Sequence, residues 1–201
     1  MTAEPDPTDP ITAAEGRELT RLAAGTVRDR LVGVESPTPP PVLPVLLAPG
    51  ASFVTLTRRG RLLGCIGSLE PVRPLHLDVA RNAARAMRDP RMPPVSAADW
   101  PELDISVAVL TPPEPLAVRD RDALLAALRP GVDGVLVTDG THRATFLPAV
   151  WQKLPEPARF LDQLLVKGGW PAGGWPADTR VSRYRTLEFK DPAPRGPLPT
   201  S

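Results

Sequence analysis

The sequence predicts an α+β fold with a mainly antiparallel sheet. Segments rich in β-forming residues come in pairs: Ser52–Thr57 precedes the strand that contains Cys65, and Val135–Thr138 precedes Thr141–Phe146. The turn residues Asp139-Gly140 between the second pair are a strong hairpin signal. Helical patterns flank these hairpins without a regular strand–helix alternation. This order favours a mainly antiparallel sheet with flanking helices over a parallel βαβ arrangement.

The composition limits both the architecture and the partners. A chain of 201 residues suits one large domain or two small lobes with a proper core. The 24 Lys and Arg residues nearly balance the 23 Asp and Glu residues. This balance gives no case for nucleic acid or an anionic membrane as a partner.

The residues available for metals, disulfides and targeting are few. The single cysteine excludes an intramolecular disulfide and a multi-cysteine zinc site, and the chain has two histidines. We therefore expect no metal site and no cofactor. Residues 1–10 lack the basic-then-apolar order of a signal peptide, and no apolar run approaches the roughly 20 residues that span a bilayer. A soluble cytoplasmic protein is expected.

Four helices are predicted from spacing and end signals. Thr12-Ala13-Ala14-Glu15 fits a capping box that opens a helix running to about Gly33. Pro74 opens the second helix, Asp122–Leu128 forms the third, and Pro157 opens a fourth that ends before Gly168. A row of arginines lies on one face of the second helix: Arg81, Arg85 and Arg88. Such a row is usually solvated, although it could also meet an anion.

The remaining segments complete the expected organisation. Asp104–Leu110 is the clearest strand, and Arg180–Phe189 is predicted as one final strand. The proline-dense segment from Ser36 to Pro49 is expected to be an extended connector. We expect a disordered tail over residues 1–10, a structured domain over 11–190 and a Pro-rich tail over 191–201.

The sole cysteine lies between two glycines in Gly64-Cys65-Ile66-Gly67. Glycine inside a strand marks a bulge or a close approach by backbone or ligand. Cys65 is then either a small buried hydrophobe or a nucleophile whose pKa is lowered by a cation, a helix N-terminus or a base. His142 is one candidate base, although ordinary surface packing is its commoner role.

Other residues have both a binding and a structural interpretation. Asp89 with Arg91 forms either a local turn-stabilising pair or an anion clamp. Lys167 reaches either a ligand phosphate or carboxylate, or the last carbonyls of its helix. Tyr184, the only tyrosine, has arginines on both sides, which suits a cleft wall or a strand at a lobe boundary.

Six motifs in order resemble a known family, the AMME chromosomal region candidate (AMMECR) family, whose bacterial members are called AmmeMemoRadiSam system protein A. The resemblance covers roughly residues 11–190. The motifs are Gly64-Cys65-Ile66-Gly67, Asp89-Pro90-Arg91-Met92-Pro93-Pro94, Val107-Ala108-Val109-Leu110-Thr111-Pro112-Pro113-Glu114, Thr145-Phe146-Leu147-Pro148, Lys167-Gly168-Gly169 and Arg183-Tyr184-Arg185.

The resemblance implies a two-lobed α+β fold with a cleft near the cysteine motif. The family's names also imply an association with a radical S-adenosylmethionine enzyme and a Memo-like protein, but no reaction. Two positions depart from the family: Leu63 replaces the usual arginine of the cysteine motif, and Ser106 replaces a glutamate common in prokaryotic members. Both charges are absent together, which is consistent with the cost of burying one charge alone.

Two functions follow as hypotheses. The first is an enzyme or enzyme subunit that acts on a small anionic substrate in a cleft, with Cys65 as the catalytic residue. The second is a non-catalytic partner of a radical S-adenosylmethionine or Memo-like protein, and the sequence favours it. A cation near the thiol would favour the enzyme, and a wholly apolar shell would favour the partner. The expected binding residues are Gly64, Gly67, Asp89, Arg91, Thr145, Lys167 and Tyr184.

Two structural expectations accompany these hypotheses. Arg91, Lys167 and either Arg183 or Arg185 should converge in one cleft. Because Cys65 lies among Leu62, Leu63 and Ile66, its thiol should be largely buried, protonated at neutral pH and slow to alkylate.

Overall fold

The computed structural model describes residues 9–34, 43–171, 173–175 and 178–199. The chain has an α+β fold that divides into two compact units: unit 1 contains residues 1–110 and 187–201, and unit 2 contains residues 111–186. The α-helices in the described residues are α1 (Ala13–Leu31), α2 (Leu75–Ala86), α3 (Arg121–Ala127) and α4 (Pro157–Lys167). The strands are β1 (Pro49–Gly50), β2 (Ser52–Arg58), β3 (Arg61–Gly67), β4 (Arg73–Pro74), β5 (Leu103–Leu110), β6 (Glu114–Leu116), β7 (Gly134–Thr138), β8 (Arg143–Phe146), β9 (Arg180–Tyr184) and β10 (Thr186–Asp191).

Unit 1 packs α1 and α2 on one face of a four-stranded sheet with the strand order β10-β5-β2-β3. Strand β2 pairs antiparallel with both β3 and β5. Alternate residues of β2 and β5, such as Val54, Leu56 and Val107, are buried on the helix side. Period-two alternation of this kind produces one buried and one more accessible sheet face.

The two long helices of unit 1 begin and pack as their sequences predict. Thr12 and Glu15 form the predicted capping box at the start of α1, with the Thr12 hydroxyl accepting from the Glu15 amide at 3.3 Å. In α2, the apolar stripe that starts at Leu75 and ends at Met87 is buried against the sheet. The arginines Arg81, Arg85 and Arg88 lie on its exposed side.

Unit 2 contains a second antiparallel sheet with the order β6-β9-β7-β8. The predicted hairpin at Asp139-Gly140 joins β7 to β8. Helix α4 buries an apolar face that contains Phe160, and the Phe160 ring stacks on Trp151 with 3.8 Å between ring centroids. The Trp151 indole N–H donates to the Asp133 carbonyl at 2.7 Å, which satisfies its buried polar atom.

The predicted final strand Arg180–Phe189 is two strands in different sheets. Arg185 separates β9 in the sheet of unit 2 from β10 in the sheet of unit 1. Thr111 explains the break, because its amide donates to the Arg185 carbonyl and its hydroxyl accepts from the Arg185 amide, each at 2.9 Å. The short strands β1, β4 and β6 contain prolines, which are poor strand formers, and the sequence did not predict them.

The proposed connector and tails are only partly described. Residues 36–42 of the connector lie outside the described residues, and Pro44–Leu47 form one 3₁₀ turn instead of extended chain. Residues 1–8 and 200–201 also lie outside, whereas Asp9 is buried. The Arg195 side chain donates to the Asp191 carboxylate and lies over the Trp100 ring, so this part of the Pro-rich segment packs on unit 1. No helix within the described ranges is long and apolar enough to cross a membrane.

Candidate functional site

Gly64 permits the end of α2 to approach the cysteine strand. A Cβ at this position would lie 2.0 Å from the carbonyl oxygen of Ala86 and 3.3 Å from the Cβ of Asp89. The first distance is far below van der Waals contact, and the obstructing atom belongs to helix backbone. A register shift in β3 next to Gly64 adds the bulge that the glycine predicted. This close approach places the loop after α2 against β3.

The loop after α2 hydrogen-bonds to the backbone of Cys65. Strand β3 is the last in its sheet, so one row of its backbone groups has no neighbouring strand. Asp89 Oδ2 accepts from the Cys65 amide at 3.0 Å, and Arg91 Nη2 donates to the Cys65 carbonyl at 3.0 Å. The side chains of Asp89 and Arg91 thereby satisfy both the amide and the carbonyl of Cys65.

Asp89 and Arg91 form a two-point ion pair. Arg91 Nε donates to Asp89 Oδ1 at 2.9 Å, and Arg91 Nη2 donates to Asp89 Oδ2 at 2.7 Å. These bonds, followed by the Cys65 amide, hold the pKa of Asp89 well below its usual range, and the pair raises the pKa of Arg91. The Asp89 side chain is fully buried, whereas that of Arg91 is 63% exposed. The guanidinium therefore presents one solvent-facing side beside the cysteine.

The thiol of Cys65 is half-buried and has a polar neighbour. Cys65 pairs directly with Thr55, which pairs directly with Ser106 on its other side. The three residues share the outer face of the unit 1 sheet, opposite the helices. Thr55 Oγ1 lies 3.2 Å from the sulfur and donates to it. The expectation of a largely buried Cys65 was wrong, because the strand register turns the residue away from the helical core.

Gly67 provides space for an aromatic ring. A Cβ at this position would lie 2.2 Å from two carbons of the Phe53 ring, which belongs to the directly opposed residue of β2. The two glycines of the motif therefore have different roles: Gly64 admits helix backbone and Gly67 admits a side chain. Leu63, at the position of the family's arginine, packs against the apolar core of unit 1.

Three other predicted binding residues form a cluster in unit 2. Thr145 Oγ1 lies 2.8 Å from the Tyr184 hydroxyl, which donates to the Phe146 carbonyl at 3.0 Å. Lys167 Nζ donates to the Thr145 carbonyl at 2.8 Å and lies 5.1 Å from the centre of the Phe146 ring. The end of α4 is thus fastened to β8, and β8 to β9.

Burial determines the chemistry of Tyr184. The residue is 5% exposed, and its desolvation raises the pKa of the phenol, an effect that the Thr145 hydroxyl partly offsets. Gly134 leaves room for the ring, because a Cβ there would lie 2.5 Å from two ring carbons. Tyr184 is therefore a buried hydrogen-bonding residue at the end of β9.

The structure assigns the predicted residues to two clusters. Gly64, Cys65, Gly67, Asp89 and Arg91 lie in unit 1, and Thr145, Lys167 and Tyr184 lie in unit 2. The convergence of Arg91 with Lys167 and Arg183 or Arg185 stays a prediction.

The candidate base His142 lies in unit 2, 3.2 Å from Asp139 Oδ2 and beside the Trp170 ring. Sequence reasoning missed Thr55 and Phe53. Their alternation along β2, together with the hairpin register, could have identified both as neighbours of the motif.

These features define an α+β protein whose glycine–cysteine edge strand is fastened by an aspartate–arginine pair. The AMMECR1 family model matches residues 20–189, and the chain belongs to this family.

Similar proteins come from archaea. A Methanothermobacter thermautotrophicus protein is 37% identical, with 90% of this chain and 97% of that protein covered. A Thermofilum pendens protein is 33% identical over 92% of this chain and 94% of its own. Among solved structures, uncharacterized protein PH0010 from Pyrococcus horikoshii is 31% identical, with a TM-score of 0.76. The alignment covers 94% of this chain and 98% of that one.

Proposed function

We propose that this AMMECR1-family chain is a non-catalytic partner or accessory protein of a radical S-adenosylmethionine enzyme and a Memo-like protein. The proposal rests on one observation: the Asp89–Arg91 pair is committed to the backbone of Cys65. Side chains that fasten an edge strand make a rigid surface. A rigid surface loses little conformational entropy when a partner binds.

The surroundings of the thiol support a structural role for the motif. His76, the histidine of unit 1, is 5% exposed, and its Nδ1 lies 3.0 Å from the Leu46 carbonyl. Asp89 is a weak base because Arg91 stabilises its carboxylate. Within unit 1, neither His76 nor Asp89 offers Cys65 the neighbouring general base that nucleophilic thiols use.

A direct binding experiment tests the proposal. The radical S-adenosylmethionine enzyme and the Memo-like protein of the same organism would be purified and immobilised, and this chain would be titrated onto each by interferometry. We expect saturable binding to at least one, with hydrogen-exchange protection over β3 and the 89–91 loop. Cys65→Ala should bind with unchanged affinity, because the thiol does no chemistry. No binding to either protein would overturn the proposal.

Arg91 favours a second candidate function, an enzyme or enzyme subunit acting on a small anionic substrate around Cys65. Its guanidinium is more than half exposed and donates to the Cys65 carbonyl, so Cys65 has the neighbouring cation that favours an enzyme. Anionic iodoacetate and neutral iodoacetamide would discriminate this function. If Arg91 binds anions, the ratio of the iodoacetate rate to the iodoacetamide rate should be higher for Cys65 than for a free thiol. Arg91→Gln should lower this ratio to that of the free thiol. The same ratio in wild type and in a free thiol would exclude the second function.

A further inference from the structure

A groove lies on the helix side of unit 1. A groove of about 790 Å³ opens where the ends of α1 and α2 meet the loop after α2. Its volume falls within the range of roughly 300–1,000 Å³ that is usual for small-molecule sites. Ile66, next to Cys65 in the strand, lines this groove, whereas Cys65 lies on the outer sheet face. The groove is therefore distinct from the cysteine site.

One part of the groove wall is apolar. Leu31 comes from the end of α1, Met87 follows α2, Val95 belongs to the loop, and Ile66 belongs to β3. Met87 and Val95 are buried, so the apolar surface that a ligand can reach comes mainly from the half-buried Leu31 and Ile66. A ligand with an apolar body would remove this surface from water, which is worth about 25 cal/mol for each Å².

The charged groups at the groove are arginines. Arg30, Arg85 and Arg88 line it, and no acidic side chain does so among the described lining residues. Arg85 and Arg88 are exposed, and neither has an ion pair or side-chain hydrogen bond with another described residue. By contrast, Arg73 and Arg91 each pair with a buried carboxylate. Arg85 and Arg88 therefore retain their capacity to bind an external anion.

The helix ends do not cancel this positive charge. The carboxyl end of a helix carries roughly half a negative charge, which favours basic residues there. Two such ends approach the groove and together oppose about one unit of charge, whereas Arg85 and Arg88 carry two. The net field therefore attracts an anion. Guanidinium groups suit carboxylate and phosphate because their planar donors can bond to two oxygens at once.

We propose that this groove binds a small amphipathic anion, with a phosphate or carboxylate head on Arg85 and Arg88 and an apolar body against Leu31 and Ile66. This site goes beyond the proposed partner function and does not depend on it. The charge of the rim and the apolar character of the wall together select this ligand class. A fully hydrophilic anion would leave the wall in water, and a neutral apolar molecule would leave the arginines unused.

Isothermal titration calorimetry with octyl phosphate, inorganic phosphate and octanol tests the proposal. We expect octyl phosphate to bind with one-to-one stoichiometry and much more tightly than either fragment. Arg85→Gln combined with Arg88→Gln should weaken binding about tenfold or more, since charge-assisted hydrogen bonds are lost. Arg81→Gln is the matched control, because Arg81 lies on the same helix outside the groove lining and its loss should change little.

Each result distinguishes the proposal from its alternatives. Ala97→Glu adds a negative charge to the lining at an exposed position and should also weaken octyl phosphate binding. The double variant removes two charges and Arg81→Gln removes one. If Arg81→Gln causes half or more of the loss in binding free energy seen in the double variant, the attraction is to overall charge and the site is overturned. Octanol binding as tightly as octyl phosphate would overturn the role of the arginines. The absence of octyl phosphate binding to the folded wild type would refute the proposal.

Discussion

Asp89 holds the backbone of Cys65 from 24 residues away in sequence, through a 3.0 Å bond between its Oδ2 and the Cys65 amide. The same carboxylate accepts two bonds from the Arg91 guanidinium and one from the Arg91 amide. One buried side chain thus connects the edge strand, the loop after α2 and an exposed guanidinium. The organisation of the motif depends on this carboxylate being ionised.

Asp89 should therefore make stability depend on pH at the acid end. Its folded pKa lies below the unfolded value, so its contribution is present above about pH 4 and is lost as the pH falls through the folded pKa. Asp89→Asn should lower the free energy of unfolding most near pH 7. The difference from wild type should shrink as the pH falls below about 4. Urea denaturation across this range measures both values.

Asp122→Asn is the control for this series. Asp122 is an exposed carboxylate in the first turn of α3 in unit 2. Its replacement should therefore change the free energy of unfolding little at pH 7 and at pH 3. A constant difference between wild type and Asp89→Asn from pH 7 to pH 3 would show that the ionised carboxylate is not the stabilising form.

Gly64 should tolerate no side chain. Because a Cβ would lie 2.0 Å from the Ala86 carbonyl, Gly64→Ala must move α2 or β3, and we expect a loss of about 1–3 kcal/mol in the free energy of unfolding. Gly67→Ala should cost less, because its obstacle is the Phe53 ring, which can rotate. Chemical denaturation of the two variants compares them.

A glycine in open space controls for backbone effects. Gly25 lies in α1, and a Cβ added there would have nothing within 4 Å, so Gly25→Ala should be neutral or stabilise by up to about 1 kcal/mol. Equal stability of Gly64→Ala and Gly25→Ala would mean that the close approach of α2 imposes no constraint.

Cys65→Ser should fold with a small loss of stability. The serine hydroxyl can keep a hydrogen bond with Thr55 Oγ1, which now donates to the sulfur. We expect a cost of about 1 kcal/mol or less, and a larger cost when Thr55→Val removes the partner. A double-mutant cycle by urea denaturation measures the coupling. Additive effects would show that the threonine does not support residue 65.

The sequence was sufficient to predict the four α-helices and the two hairpins. Residues close together in sequence determine the cap at Thr12, the apolar stripe that begins at Leu75 and the Asp139-Gly140 hairpin. The choice between a turn-stabilising pair and an anion clamp at Asp89 depended on Cys65, 24 residues away. No local pattern contains that contact.

The sheet to which each strand belongs could not be predicted from the local sequence either. The β-formers on either side of Arg185 look continuous in sequence, and only the bonds from Thr111, 74 residues earlier, separate the strands. The exposure of Cys65 had a similar origin. Its apolar neighbours suggested burial, but the register with Thr55 determined which sheet face it occupies.

Tyr184 should show a raised pKa in a direct optical titration. It is the only tyrosine, so the absorbance rise that accompanies tyrosinate formation reports one phenol. Burial raises its folded pKa, and the unfolded chain ionises near pH 10, so the stabilising contribution is present below pH 10 and is lost as the pH rises through the folded pKa. We expect the native midpoint to exceed that of the urea-unfolded chain. Thr145→Val should raise the native midpoint further, because the Thr145 hydroxyl lowers this pKa.

Tyr184→Phe should lower the free energy of unfolding by about 1–2 kcal/mol at pH 7, because two hydrogen bonds are lost, and should remove the stability loss above pH 10. Coincident native and unfolded midpoints would contradict the burial of this hydroxyl.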